Sequence, residues 1–100
     1  MPSRGLQEGK RSIVVVYDRT RGDIVHVHEV VTERGGRHPS MRAVEKEALA
    51  LAAGGSVGRT LGRKQMKTIS VKASRLEHDP NVLLHVDVKR RRLERVQIRR

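Results

Sequence analysis

The sequence predicts an α+β domain with the element order β-β-α-β-β, in which two antiparallel hairpins form a sheet that packs against one amphipathic helix. Two runs rich in β-branched residues, 12–17 and 24–32, stand on either side of a turn-like segment and predict the first hairpin. A stretch with helical spacing then precedes two segments, 66–73 and 82–88, whose apolar residues alternate as in half-buried strands. The simplest packing lays the helix across one face of a four- or five-stranded sheet.

The first predicted strand, Ser12 to Tyr17, carries β-branched residues on both of its faces. This composition is typical of a central strand, which is covered on both sides. Gly22 lies in the turn-like segment that follows and suits a left-handed backbone position there. Residues 1–11 contain a proline, two glycines and few apolar side chains, so we expect a flexible basic arm ahead of the domain.

One amphipathic helix is predicted after a linker at residues 34–40. Ser40 suits the N-cap because its hydroxyl can accept a hydrogen bond from a backbone N–H of the first turn. Gly54 and Gly55 end the helix, since glycine adopts the left-handed conformation after a helix at little energetic cost. The apolar stripe that faces the core consists of Met41, Val44, Ala48, Leu51 and Ala52.

The chain after the helix divides into a basic segment and two strands. Residues 56–65 contain two further glycines among basic side chains and are interpreted as a mobile loop. Residues 66–73 alternate between apolar and polar side chains, as a strand with one solvated face does. The Asp-Pro-Asn sequence at 79–81 predicts a turn before the strand at 82–88, so these two strands are expected to form the second hairpin.

The domain is expected to cover residues 12–89, with a basic tail at 90–100. Val96 and Ile98 in this tail could extend a strand or form a fifth one, whereas its many basic side chains also suit a frayed end. Both alternatives stay open on the sequence alone.

The net charge of +11 is concentrated in the second half of the chain. Residues 12–58 are neutral, whereas 59–75 and 89–100 are strongly basic and are separated by an acidic stretch at 76–88. Clustered charge indicates a face that binds nucleic acid or another polyanion, although a merely solubilising surface rich in arginine is the alternative. The residues expected to form this face are Arg59, Arg63, Lys64, Lys67, Lys89, Arg90, Arg91 and Arg92.

The composition also restricts how nucleic acid could be bound. Tyr17 is the only aromatic residue of the chain, which disfavours binding of single strands by base stacking. The predicted helix shows Arg42 and Lys46 diluted by Glu45 and Glu47, so it is a poor candidate for reading bases in a major groove. Any binding is therefore expected to be directed at the phosphate backbone and to weaken steeply with salt.

Three histidines form a weak candidate metal site. His26 and His28 are two residues apart on a strand, so their side chains point to the same face and could supply two nitrogen ligands. His85, or Asp87 beside it, could complete the set if the hairpins were adjacent. The alternative is that these histidines are partly exposed side chains on a solvent-facing strand.

A nuclease-like enzyme is a third and more distant interpretation. The candidate site combines the histidines, including His38, with Asp87 and the arginines. Histidines could transfer protons and arginines could hold phosphate oxygens, but the spacing is not distinguishable from chance. The sequence has neither a nucleophile elbow nor a zinc-binding helix motif, so we assign no catalytic residue and no cofactor and expect no enzyme.

A homo-oligomeric structural or adaptor protein is the nearest alternative to polyanion binding. One short helix covers only part of a sheet, and a core of valines without large aromatic residues is thin, so a second copy or a protein partner could cover the rest. The chain has no cysteine, no apolar run long enough to span a bilayer and no signal-peptide core. We therefore expect a soluble, cytoplasmic protein that does not bind membranes.

Overall fold

The computed structural model describes residues 8–72, 76 and 82–97, and it confirms the predicted α+β fold class. Two helices and a short 3₁₀ helix stand between the first two strands and the last three. The elements in chain order are β1 (Glu8–Asp18), β2 (Ile24–Glu33), α1 (Met41–Gly54), α2 (Ser56–Leu61), the 3₁₀ helix (Arg63–Gln65), β3 (Met66–Val71), β4 (Val82–Asp87) and β5 (Arg92–Gln97).

The strands form two antiparallel sheets rather than one. The larger sheet has the order β2-β1-β3, and the smaller one is the hairpin β4-β5. The first hairpin is the one predicted, with Val14 opposite His28. The second hairpin differs from the expected pairing, because β3 pairs with β1, where Ile69 lies opposite Val15, and β4 pairs with the fifth strand.

β1 is a central strand whose two faces are covered by different layers, as its composition predicts. On one face, Val14 and Val16 pack against α1. On the other face, Val15 and Tyr17 pack against the β4–β5 hairpin. The molecule is thus built as helix, three-stranded sheet and hairpin, and the sheet face that the predicted helix cannot reach is covered by the chain's own hairpin.

The segment 56–65, interpreted from the sequence as a mobile loop, instead forms α2 and the 3₁₀ helix. Gly58 is buried where α2 meets the end of α1, and a Cβ atom there would collide with the carbonyl group of Ala52. Glycine, which argues for a loop in a sequence, is here needed for close contact between two helices.

Strand pairing begins and ends closer to the termini than the sequence indicated. β1 starts at Glu8, inside the predicted arm, and Arg11 pairs with Val31 of β2. β5 occupies residues 92–97 of the predicted tail. The predicted Asp-Pro-Asn turn at 79–81 lies outside the described residues. None of the helices in the described part of the chain has the length and apolar character needed to cross a membrane.

Candidate nucleic-acid interface

The outer edge of β3 is the feature around which basic side chains gather. β3 pairs with β1 alone, so its other edge has no strand partner among the described residues. Successive side chains of a strand point to opposite faces. Thr68 and Ser70 therefore point toward the helix layer, whereas Lys67, Ile69 and Val71 point toward the hairpin layer.

A cavity of about 440 Å³, here called the helix-side groove, lies between α1, the 3₁₀ helix and β3. The cationic side chains of Arg42 and Lys46 lie one helical turn apart on α1 and meet Arg63 there. Glu45 is the carboxylate of this groove, and its Oε2 accepts a hydrogen bond of 3.0 Å from Thr68 Oγ1. This bond ties α1 to β3 and occupies one oxygen of the acidic group.

A second cavity of about 420 Å³, the hairpin-side groove, lies between β3 and the start of β5. Ser70 and Lys72 line it from the β3 side, and Arg91 and Arg92 line it from the hairpin. Its remaining walls are apolar side chains, those of Ile69, Val71 and Leu93. Both grooves thus open beside the same short stretch of β3, one on each face of the sheet.

The two grooves together carry six cationic side chains and one carboxylate. None of the six forms an ion pair with a residue in the described ranges. All six are exposed, so the grooves present an excess of positive charge to solvent. Such a concentration of one sign of charge attracts a polyanion and speeds its association. The six are Arg42, Lys46, Arg63, Lys72, Arg91 and Arg92.

The structure brings together only part of the predicted set of basic residues. Arg63, Arg91 and Arg92 line the grooves, while Lys67 stands exposed on β3 itself. The others are exposed but outside both grooves: Arg59 on α2, Lys64 in the 3₁₀ helix, and Lys89 and Arg90 in the β4–β5 turn.

Sequence reasoning missed Arg42, Lys46 and Lys72. The i, i+4 spacing of Arg42 and Lys46 was a usable signal, because it places both side chains on one face of a helix. Of the glutamates that seemed to dilute them, Glu47 lies beside His28, whereas Glu45 lines the same groove and accepts the hydrogen bond from Thr68.

The segment that carries Arg63 is held in place by the first turn of the chain. Asp18 Oδ1 accepts hydrogen bonds from Gln65 Nε2 at 2.9 Å and from the Thr20 backbone N–H at 2.9 Å. These bonds, with that of Gln65 the stronger influence, lower the pKa of Asp18 from its ordinary value. The backbone N–H of Arg19 also donates to the Gln65 carbonyl at 2.8 Å. The 3₁₀ helix is therefore held by a side-chain hydrogen bond and by a backbone hydrogen bond, both made by Gln65.

The turn between β4 and β5 is organised by Asp87. Its carbonyl accepts a bond of 2.7 Å from the Arg91 N–H, and its Oδ1 accepts one of 3.1 Å from the Arg90 N–H. The Arg90 guanidinium lies 3.9 Å from the same carboxylate. Arg91 itself has a left-handed backbone, with φ of 55°. The turn thus directs Arg90 back to Asp87, while Arg91 lines the hairpin-side groove.

His26 and His28 share one face of β2, as predicted, and this face is partly covered by the helix layer. Their rings stack with centroids 5.8 Å apart, and the Nε2 atoms of both are buried without a hydrogen-bond partner among the described residues. His28 Nε2 lies at ion-pairing distance, 3.3 Å, from Glu47 Oε1. Burial, and secondarily the neighbouring His28, lowers the pKa of His26.

His85 lies apart from this pair and has its own partners. Its Nε2 is 2.7 Å from the Arg21 carbonyl, which only accepts, so this nitrogen donates. Its Nδ1 faces Glu94 Oε2 at 3.0 Å, an arrangement that favours the protonated ring and raises the pKa of His85. No three potential ligands converge on one point within the described ranges. The set of His26, His28 and His85 is therefore not assembled as a metal site.

The remaining residues of the nuclease interpretation are engaged in structural contacts. The ring nitrogens of His38 lie 2.7 Å from Ser12 Oγ and 2.6 Å from Thr32 Oγ1, which fastens the linker to β1 and β2. Asp87 organises the hairpin turn, in a different layer. Comparison of the chain with protein-family models, with curated proteins and with solved structures gave no match. The function is therefore argued from the grooves themselves.

Proposed function

We propose that this protein is a non-enzymatic module that binds nucleic acid through the phosphate backbone, along the outer edge of β3. The observation that supports this proposal is the pair of basic grooves on the two faces of that edge. The cations of the two grooves come from α1, the 3₁₀ helix, the residue after β3, the β4–β5 turn and the start of β5, so residues distant in sequence form one cationic strip. The cytoplasmic location expected from the sequence belongs to the same proposal.

The state of the single aromatic residue supports backbone binding over base stacking. Tyr17 is 1% exposed and packs under the β4–β5 hairpin, so its ring is not available to bases. Proteins that bind single strands through bases use exposed aromatic rings as stacking platforms. Contacts from guanidinium and ammonium groups to phosphate oxygens need no such ring.

The size of the strip fits several phosphates. Thr68 and Lys72 are separated by about 13 Å of extended chain. One strand of a DNA duplex places a phosphate about every 3.4 Å along the helix axis, so a strip of this length can meet more than one phosphate. Side chains from both grooves flank this length of β3, and the proposed ligand is a duplex.

The test is binding to a short DNA duplex, to an RNA duplex of the same sequence and to heparin, each as a function of salt. We expect binding at about 50 mM salt with a steep negative dependence of affinity on salt concentration. The double charge reversal Arg63→Glu with Arg91→Glu places one negative charge in each groove and should reduce duplex affinity at least about 100-fold, because attraction is replaced by repulsion.

The matched control is Lys10→Glu with Arg37→Glu. It makes the same change in net charge at two exposed positions on β1 and in the linker before α1, away from the β3 edge. Circular dichroism should show that both double variants fold. Equal losses of affinity in the two variants, or no duplex binding by the wild type at low salt, would contradict the proposal. Binding to heparin alone would assign the strip to another polyanion.

A homo-oligomer is the second candidate, favoured by the outer edge of β2. This strand pairs with β1 alone among the described residues, and Val27 and Val31 on it are 42% and 47% exposed. Free strand edges with apolar side chains tend to pair with another chain. Light scattering at micromolar concentration tests this candidate: a dimer that Val27→Lys disrupts would support it, and a monomer would oppose it.

A further inference from the structure

We infer that the hairpin-side groove contains a phosphate subsite whose principal contact is Arg91, and that the strained turn places this side chain for binding. The inference rests on the proposed function and specifies it, because it names the residue that meets a phosphate group.

The backbone of Arg91 is an outlier. In the described part of the chain, four residues have a positive φ. Three of them are glycines, Gly22, Gly35 and Gly62, and the fourth is Arg91. A side chain with a Cβ atom is disfavoured in the left-handed region, where glycine or asparagine is usual. For folding alone, glycine would therefore suit position 91 better than arginine. Strain of this kind is enriched at sites where a side chain serves a ligand.

The turn gives Arg91 a role that its neighbour does not have. Arg90 donates its backbone N–H to Asp87 Oδ1, and its guanidinium is 3.9 Å from Asp87 Oδ2. Arg91 is tied to Asp87 only through the backbone bond of 2.7 Å. Its side chain lines the groove and has no ion pair among the described residues.

The other polar groups of the groove suit a phosphate. Lys72 and Arg92 supply two more cations beside Arg91, whereas no carboxylate lines this groove. A guanidinium binds two phosphate oxygens at once, which makes arginine a better principal contact than lysine. The apolar wall of Ile69, Val71 and Leu93 reduces the water that competes for these bonds. The ligand class is a phosphate group, in a phosphodiester or free.

The experiment compares Arg91→Gly, Arg91→Lys and Arg90→Gly with the wild type, using the DNA duplex and inorganic phosphate as probes. Arg91→Gly should raise the midpoint of thermal unfolding by about 2–5 °C while lowering duplex affinity about 10-fold and the salt slope by about one phosphate contact. Arg91→Lys keeps the charge and the strain, so it should bind more weakly than the wild type and more strongly than the glycine variant.

Arg90→Gly is the matched control, since it removes the same charge from the adjacent position. It should lower the unfolding midpoint, because it removes the contact with Asp87, and it should leave the salt slope unchanged. Opposite changes in stability and affinity for Arg91→Gly would support the inference. Equal effects of the two glycine variants on duplex affinity would overturn it.

Failure of this inference is distinguishable from failure of the proposed function. If the wild type binds the duplex and Arg91→Gly binds equally well, the subsite is wrong and the strip is retained. If the wild type binds no duplex, the proposed function is wrong as well. Competition by inorganic phosphate distinguishes the sources of the ligand: displacement of the duplex at millimolar phosphate, beyond that produced by chloride of equal ionic strength, indicates a site that also takes free phosphate.

Discussion

Gly58 is the residue on which the contact between α1 and α2 depends. A methyl group at this position would meet the carbonyl group of Ala52, which belongs to the backbone and cannot turn away. We expect Gly58→Ala to lower the free energy of unfolding by about 2 kcal/mol, because overpacking outweighs the better helix propensity of alanine. Chemical denaturation followed by circular dichroism measures this change.

Gly54 provides the control at the end of α1. It is helical, and no atom lies within 4 Å of a Cβ built there. Gly54→Ala should therefore stabilise the protein by about 0.5–1 kcal/mol through helix propensity alone. If the two alanine variants change stability in the same direction, the close approach of the helices at Gly58 is not what constrains that position.

His26 should make the protein less stable in mild acid. Its folded pKa lies below the ordinary 6.5, so between these two values the unfolded chain takes up a proton that the folded chain does not. The contribution of the neutral His26 to the free energy of unfolding is present above pH 6.5 and is lost as the pH falls toward the lowered pKa. Replacement by a neutral side chain, His26→Gln, should reduce the stability lost between about pH 7 and 5. Urea unfolding at the two pH values tests this.

His85 should change the pH dependence of stability in the opposite direction to His26, and it serves as the comparison. Its folded pKa is raised above 6.5, chiefly by Glu94, so its contribution is present below pH 6.5 and is lost as the pH rises through the raised pKa. His85→Gln should therefore destabilise the protein more at pH 6 than at pH 9. A pH dependence of the same sign for both histidine variants would contradict the environments described for these rings.

At the scale of elements, the β4–β5 hairpin acts as the cover of the second sheet face. Val86 is fully buried on its inner side, while Leu83 on its outer side is 56% exposed. We expect Val86→Ala to lower the free energy of unfolding by about 2 kcal/mol, whereas Leu83→Ala should change it by no more than about 0.5 kcal/mol. Similar losses from both, measured by chemical denaturation, would mean that the outer side of the hairpin is also covered.

The element order could be predicted from the sequence, but the strand partners could not. Side-chain alternation shows which face of a strand is buried, and the β-branched run at 13–16 indicated a central strand. Alternation does not show which strand lies alongside, so the pairing of β3 with β1 was missed. The six residues of α2 are too few for helical periodicity to be read. Gly58 argued against a helix there because its close contact with Ala52 is visible only in three dimensions.

At the scale of the whole molecule, the basic residues that cluster along the sequence are not the same set as those that lie together in the fold. The segment 12–58 is neutral, yet Arg42 and Lys46 from it line the helix-side groove. Glu45 and Glu47 cancel these two positive charges in the net charge of the segment. In the folded chain Glu45 accepts a hydrogen bond from Thr68, and Glu47 lies beside His28. Net charge by segment therefore indicated that the protein has a basic face, while packing decides which cations share it.

The same concentration of cations should make stability depend on salt. Six exposed cations without described ion pairs repel one another in the folded state and are farther apart in the unfolded chain. Raising sodium chloride from about 0.02 to 0.2 M shortens the screening length from about 20 to 7 Å, so the midpoint of thermal unfolding should rise by several degrees. The Arg63→Glu, Arg91→Glu variant relieves the repulsion without salt. Its unfolding midpoint should therefore be higher than that of the wild type at low salt and should rise less as salt is added. The Lys10→Glu, Arg37→Glu control should behave more like the wild type. If the wild-type midpoint does not change or falls as salt is added, the groove cations do not repel one another enough to destabilise the fold. That result would weaken the proposal that the grooves bind a polyanion.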